Sequence, residues 1–185
     1  MQVALVERAR AGDEEAFASL ARAAGDRLLA IAYRILRDLG LAEDAVQQTL
    51  VLAWRELPSL RDVDRFDAWL RRLLVHACYR EARRGRHWAT NVRLMPVDQS
   101  NPADEYNSVV DRDQLDRGFR RLPPEQRAVF VFHHYLGLTL IEVAAELGVP
   151  LGTVKSRLHY ATNTLRAAIE ADLRLPTDSS REHSA

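Results

Sequence analysis

Cysteine is nearly missing from this sequence. Its 185 residues include one, Cys78, so no internal disulfide can form, and no Cys/His pattern has zinc-ligand spacing. Long apolar runs are missing too: nothing approaches the roughly 18 to 20 residues that a transmembrane helix needs. The opening residues, MQVALVERARAGDEEAF, turn charged too early for a secretory signal. A cytoplasmic, reducing compartment without membrane insertion is therefore expected. No segment alternates apolar and polar residues in the manner of a half-buried strand. Glycine and proline number only 8 and 7, and they fall at plausible helix ends. Net charge is absent as well, with 26 basic against 26 acidic residues.

What is present is helical periodicity and a segregated charge. Between 71 and 93 the bases Arg71, Arg72, Arg80, Arg83, Arg84, Arg86 and Arg93 face one acid, Glu81. Between 96 and 116 the acids Asp98, Asp104, Glu105, Asp111, Asp113 and Asp116 face one base, Arg112. The zero is a cancellation between segments, and a phosphate backbone meets segments. With 47% hydrophobic and 28% charged residues, the remainder is ordinary globular material.

The pattern predicts an all-α protein of two small helical domains joined by an acidic linker, the C-terminal one containing a helix-turn-helix. The N-terminal domain is assigned to 1–88, the linker to 89–107, the C-terminal domain to 108–174 and a frayed tail to 175–185. Asp13 is placed to cap a helix over Ala16 to Arg37 that closes near Gly40. A second runs from about Ala42 to Leu57. A third, capped by Asp62 or Asp64, reaches Arg84 and ends at Gly85. The stretch ATNVRLMPVDQSNPADEYN loses the helical period and collects turn formers. Helix signals return at Ser108, with a capping pair to Asp111, and Pro123-Pro124 open another first turn.

The C-terminal segment carries the clearest motif. In LTLIEVAAELGVPLGTVKSRL, Thr139 and Glu142 have capping-box spacing. Ile141, Ala144, Ala145 and Leu147 offer the short helix an apolar face, and Gly148 suits the left-handed position that ends it. A longer helix follows across Val149-Pro150-Leu151-Gly152. Its core stripe is Val154, Leu158, Ala161 and Leu165, within about 40° of one another at 100° per residue. Ser156, His159 and Asn163 lie opposite, flanked by Lys155 and Tyr160. A short helix, a glycine turn and a longer helix with a non-acidic outer face make a helix-turn-helix whose second helix enters the major groove. Arg157, near the core boundary, suits a phosphate or an intramolecular pair better than a base.

Upstream, Phe66, Leu70, Leu73 and Ala77 form one stripe of the third helix, and Arg72, His76, Tyr79 and Arg83 the opposite one. Cations interleaved with a ring suit a single-stranded backbone on which a base can stack. The preceding loop, PSLRDVDRFDAW, opens into a helix N-terminus suited to an unstacked base or a phosphate. In LAEDAVQQTLVLAWREL, Val46, Leu50, Ala53 and Leu57 make the core stripe. Asp44, Gln47, Gln48 and Arg55 share the far side with the apolar Val51 and Leu52, which hints at a protein-docking face. Taken alone, the third helix's stripe reads equally well as a solubilising outer face, and a wider core is the plainer reading of the second helix's apolar residues.

Together these segments resemble the sigma factors of the bacterial extracytoplasmic-function (ECF) group, over roughly Asp13 to Arg174. AEDAVQQTLVLAWREL is similar to the family's polymerase-clamp helix, RFDAWLRRLLVHACYREARR to its promoter −10 segment, and LPPEQRAVFVFHHYLGLTLIEVAAELGVPLGTVKSRLHYATNTLR to its −35-binding domain. The resemblance implies a dissociable initiation subunit without catalysis or cofactor. Its partners would be core RNA polymerase, promoter DNA and an anti-sigma factor. Carried over by motif, Asp44, Gln47, Gln48, Val51, Trp54 and Arg55 would meet polymerase. Ser59, Arg61 and Arg65 of the loop, with Arg72, His76, Tyr79 and Arg83, would meet the −10 element. Lys155, Ser156, Arg157, His159, Tyr160 and Asn163 would face the −35 element. Gln48 and Leu50 stand where the family usually has Glu and Phe, and Tyr160 where it often has Arg.

Two other readings compete. A stand-alone helix-turn-helix regulator would need a dimer seam or effector segment, and neither is visible. An enzyme or metal site could be sought at His133-His134, at His76 with Cys78, or at His87. Adjacent helical histidines point about 100° apart, however, and Cys78 sits on the flank of a core stripe.

Overall fold

Asp13 accepts a hydrogen bond from the Ala16 amide at 2.9 Å and so caps the long second helix. Arg8 grips the same carboxylate at 2.6 and 2.8 Å, fastening the end of the helix before it. In the computed structural model of the chain, residues 2–91 and 116–173 are described, with side chains over 2–85 and 116–170. All the regular structure among them is helical. The order is α1 (Gln2–Arg10), α2 (Glu14–Leu36), α3 (Leu39–Glu56), α4 (Phe66–Asn91), α5 (116–121), α6 (Pro124–Phe130), α7 (Leu140–Leu147) and α8 (Leu151–Leu173). Short 3-10 turns, Leu57–Ser59 and Val63–Arg65, shape the connection from α3 to α4.

Several boundaries differ from those expected. α1 buries Val6 and Ala9 against the bundle, although its charged sequence gave no helix signal. α2 ends at Leu36 rather than near Gly40, because Arg37 itself takes the left-handed conformation with φ 59°. Asp38 then caps α3 through the Leu41 amide at 2.8 Å, and Gly40 lies inside that helix. Asp62 caps the 3-10 turn through the Asp64 amide, and α4 starts only at Phe66. Nor does α4 stop at Gly85. A side chain there would touch Leu41 Cδ1 at 3.4 Å, so this glycine marks a close approach of α3 to α4 rather than a helix end. α4 extends to Asn91, three residues into the expected linker. The rest of that linker, the Ser108–Asp111 cap and the tail lie outside the described residues.

The core also departs from the simple stripes. Ala42, Ala45, Thr49 and Ala53 are the buried residues of α3, followed by Leu57 of the 3-10 turn, with Val46 and Leu50 half-buried beside them. In α4, Leu74, Val75 and Cys78 join Phe66, Leu70 and Ala77, whereas Leu73 is half-buried. In α7, Val143 and Leu147 are buried, Ala145 is exposed and Ile141 is 71% exposed, so the expected face is rotated. Val154, Ala161 and Leu165 of α8 are buried as expected, with Leu158 partly so.

After α6 the chain makes one turn of π-helix, Val131–Tyr135, with the Leu136 amide donating to Val131. Gly137 at φ 71° then lets the chain reverse into α7. His133 Nδ1 lies 2.8 Å from the Leu138 carbonyl and donates to it, while His134 stacks on Phe130 at 4.4 Å. These two histidines thus serve the turn.

The two halves are in contact. Ala128, Val129, Phe132, Val143, Leu147 and Val154 belong to the same buried cluster as the helices of the N-terminal half. A smaller cluster of Leu122, Ala161 and Leu165, packed on by Phe119 and Phe130, lies within the C-terminal half.

Candidate nucleic-acid interface

The second helix of the C-terminal motif is set by local chemistry at each end of α7. Thr139 Oγ1 accepts from the Glu142 amide at 3.3 Å, and Glu142 Oε2 accepts from the Thr139 amide at 2.8 Å, which completes the capping box. The Thr139 hydroxyl donating to Glu142 Oε2 at 2.7 Å, joined by the Thr139 amide, holds the Glu142 carboxyl below its ordinary range. Gly148 turns left-handed at φ 65° to end α7. The result is an α8 whose stripe meets α7 at Val154 and packs on Leu122, Phe119 and Phe130 through Ala161 and Leu165, with its other face open.

That open face matches the expected one. Lys155, Ser156, His159, Tyr160 and Asn163 are exposed, Tyr160 by 61%. Ser156 donates its hydroxyl hydrogen to the Thr153 carbonyl at 3.0 Å, so its oxygen faces outward as an acceptor. Asn163 Nδ2 lies 2.9 Å from His159 Nε2, so the amide and the imidazole brace each other on this face. Arg157 is half-buried and lies within electrostatic reach of Tyr79 of α4.

The face of α4 is less uniform than its spacing implied. His76 and Arg83 are exposed, and they line a cleft of about 340 Å³ between α3 and α4 with Leu52, Glu56, Leu73, Tyr79 and Arg80. Leu52 and Leu73 with Arg80 and Arg83 suit a planar base and its phosphate, whereas the Glu56 carboxylate disfavours a phosphate on its own side. Partial burial, with Arg72 and Arg80 near, holds the His76 imidazole below its ordinary pKa. Tyr79 is half-buried rather than presented. Burial pushes its phenol pKa up, and its hydroxyl has no hydrogen-bond partner. Arg80 was not singled out from the sequence, although it stands four residues beyond His76 and so shares its face.

In the loop before α4, Ser59, Arg61 and Arg65 are exposed. Ser59 donates to the Glu56 carbonyl at 2.6 Å, and Arg10 of α1 reaches the Leu60 carbonyl at 3.2 Å. Arg65 leans toward Asp62 at 3.3 Å yet keeps 80% of its side chain exposed. α1 therefore buttresses this loop, a role with no local sequence signal.

On α3 the expected docking residues separate into two sets. Asp44, Gln47, Arg55 and the 46%-exposed Val51 face outward. Trp54 is half-buried, its ring 5.0 Å from that of Phe17, and Gln48 reaches inward to Glu81. The chemistry of Cys78 is similarly settled, because burial raises its thiol pKa to about 12 and leaves it unreactive. Among the described residues no group of His, Cys, Asp and Glu gathers in metal-binding geometry, and no helix is long and apolar enough to cross a membrane.

A helix-turn-helix with an open, non-acidic outer face, together with a second helix lined with arginine, is the architecture of a helical DNA-binding protein. The comparisons narrow the class. Residues 20–88 match the family model described as Sigma-70 region 2, and residues 112–165 the one described as Sigma-70, region 4. The chain is 36% identical over 168 residues to the ECF RNA polymerase sigma factor SigL of Mycobacterium tuberculosis, covering 86% of this chain and 94% of that one. It is 26% identical to the ECF sigma factor SigW of Bacillus subtilis, covering 87% and 92%. Among solved structures it resembles the sigma factor RpoE bound to the anti-sigma factor NepR from Bartonella quintana (TM-score 0.65, 28% identity, 80% of this chain and 92% of that one). It also resembles CnrH in complex with the cytosolic domain of CnrY (TM-score 0.62, 27% identity, 92% and 98%). The chain belongs to the ECF RNA polymerase sigma factors and acts in transcription initiation.

Proposed function

We propose that the chain divides promoter recognition between its two halves. α8 lies in the major groove of the −35 duplex, with Ser156, His159, Tyr160 and Asn163 toward base edges and Lys155 toward a phosphate. The cleft between α3 and α4 takes an unstacked base of the −10 strand. His76, Arg72 and Arg83 follow its backbone, and Ser59, Arg61 and Arg65 flank it from the loop. Tyr79 joins this set when its ring is uncovered. Asp44, Gln47, Val51 and Arg55 form the outward face for core polymerase, with Gln48 and Trp54 shaping it from behind. The protein itself supplies binding and strand separation rather than catalysis, and it works in the cytoplasm. Because the structural relative RpoE is bound to the anti-sigma factor NepR, a protein of that class is the expected regulator here too.

The observation that carries this reading is the open face of α8 behind a complete capping box and a left-handed glycine. The test is transcription in vitro with core polymerase and a randomised promoter library. Promoter-dependent transcripts with a two-part consensus are expected, and changing His159 or Tyr160 should alter only the upstream part. Transcripts whose consensus is unaffected by these changes would remove α8 from the role of reader. A chain that binds DNA but supports no initiation would instead be a stand-alone regulator.

A further inference from the structure

Helix α1 lies across the loop that joins α3 to α4. Val6 and Ala9 on its inner side are buried in the core, and it touches both 3-10 turns of the loop. Its last turn is fastened independently of that loop, because Arg8 grips the Asp13 cap of α2 at 2.6 and 2.8 Å. Two further side chains reach the loop itself. Arg10 donates from a terminal nitrogen to the Leu60 carbonyl at 3.2 Å. Gln2 donates to Asp67 Oδ1 at 3.1 Å, an oxygen that Arg27 of α2 also holds at 2.8 Å. Gln2 and Arg10 stand about 12 Å apart along the axis of α1 and only about 80° apart around it. A helix anchored on α2 thus brackets the loop from both ends.

The loop consists of two closed turns with Arg61 between them. The Leu60 amide donates to the Leu57 carbonyl at 3.0 Å and closes the first turn. Asp62 accepts from the Asp64 amide at 3.1 Å, and the Arg65 amide donates to the Asp62 carbonyl at 3.2 Å, which closes the second. Between 58 and 65, Leu60 and Val63 pack against the core, and each is only partly buried. Short-range bonds therefore shape each turn, while the angle between the turns depends on α1. Arg10 holds the chain just before Arg61, and Gln2 holds it just after the second turn.

We infer that α1 belongs to the −10 reader, with Arg10 and Gln2 as positioning residues. They hold Ser59, Arg61 and Arg65 in place before DNA arrives, and neither touches the strand. A loop already in its bound shape gives up less freedom on binding, so affinity gains by the ordering cost that is avoided. This rests on the reading of the loop as a −10 contact.

The test uses the full chain assembled with core RNA polymerase, as wild type, Arg10→Gln, Arg10→Lys and Gln2→Ala. Arg22→Gln, on the exposed side of α2, controls for the loss of one remote cation. The probes are a single strand carrying the −10 sequence that wild type selects and, separately, a −35 duplex. Hydrogen exchange of the Leu60 and Arg65 amides is followed in the free chain. Arg10→Gln should bind the strand about fivefold more weakly, with unchanged salt slope and unchanged duplex affinity. Its two loop amides should exchange faster. Gln2→Ala should lose about twofold by the same route. Arg10→Lys can still donate to a carbonyl and should restore most of the affinity, and Arg22→Gln should match wild type.

A strand salt slope reduced by about 0.7 in Arg10→Gln would overturn the inference, since Arg10 would then be a phosphate contact itself. Equal losses on strand and duplex would overturn it too, by making α1 a general support of the fold. So would faster exchange at unchanged strand affinity. Wild-type strand affinity in an Arg61→Gln, Arg65→Gln double variant would sink the reading of the loop beneath it.

Discussion

Gln48 donates a hydrogen bond from Nε2 to Oε1 of Glu81 at 2.5 Å, and Glu81 is 3% exposed. Arg84 approaches the same oxygen at 3.2 Å from the solvent side. The amide of Gln48 is what makes this junction of α3 and α4 tolerable, because it is a donor facing a buried carboxylate. A glutamate at position 48, the family's usual residue, would set two carboxylates against each other.

Gln48→Glu should accordingly destabilise the folded chain by about 2 to 3 kcal/mol, the scale of a buried charge that loses its donor. Chemical denaturation should show a lower midpoint with an unchanged slope. A midpoint equal to wild type would mean that Arg84 alone suffices for Glu81.

Lys155→Ala removes a cation from the exposed face of α8 without touching its buried stripe. Affinity for −35 duplex should fall, and the slope of log affinity against log salt should shrink by about one, for one fewer counterion released. A fall in affinity at constant slope would place Lys155 on a base rather than a phosphate.

His76 gives a pH dependence with a defined sign. Burial and the cations Arg72 and Arg80 depress its pKa in the free protein, so the unfolded chain takes up its proton first. Its contribution to stability is therefore present above the unfolded value near 6.5 and is lost as pH falls toward the folded value. A strand phosphate beside the ring reverses the bias, because it favours the imidazolium. Affinity for the −10 strand should then rise as pH falls from about 7 to 5.5, by more in wild type than in His76→Gln. Parallel curves for the two proteins would remove His76 from the strand path.

Phe132 is fully buried within the π-helical turn, at the place where α6 hands over to α7. Phe132→Ala should cost about 3 to 5 kcal/mol by leaving a cavity in the shared core. Thermal unfolding followed by circular dichroism measures it, and a loss below 1 kcal/mol would mean the turn collapses to fill the space.

The sequence spoke most clearly where structure is set within a few residues. The Thr139–Glu142 box, the Gly148 turn, the Asp13 cap and the alternation of faces along α8 all depend on neighbours no more than a turn or two away. What it left unread depends on distant partners. Gly85 looked like a stop signal because Leu41, forty-four positions earlier, was invisible to a local reading. Ile141 looked buried because its type is apolar, yet the way α7 docks leaves it in solvent. Tyr79 and Arg72 had the right spacing for an open row, and only the packing of the C-terminal half takes one of them out of it. Gln48 was legible as a departure from a family pattern, but the reason, a buried acid on the next helix, required the fold.

Arg37 is a non-glycine residue in left-handed backbone, at φ 59°. Glycine there would relieve roughly 1 kcal/mol of steric strain, so a stability-minded redesign would choose it. Yet that guanidinium also meets Asp116 and lies 5.3 Å from the ring of Tyr33 and 6.0 Å from that of Phe119. A glycine would leave a less strained helix end but remove the Arg37–Asp116 ion pair that ties the α2–α3 turn to α5. Thermostability and domain geometry are thus opposed at this one residue, and a melting curve alone would reward the wrong choice.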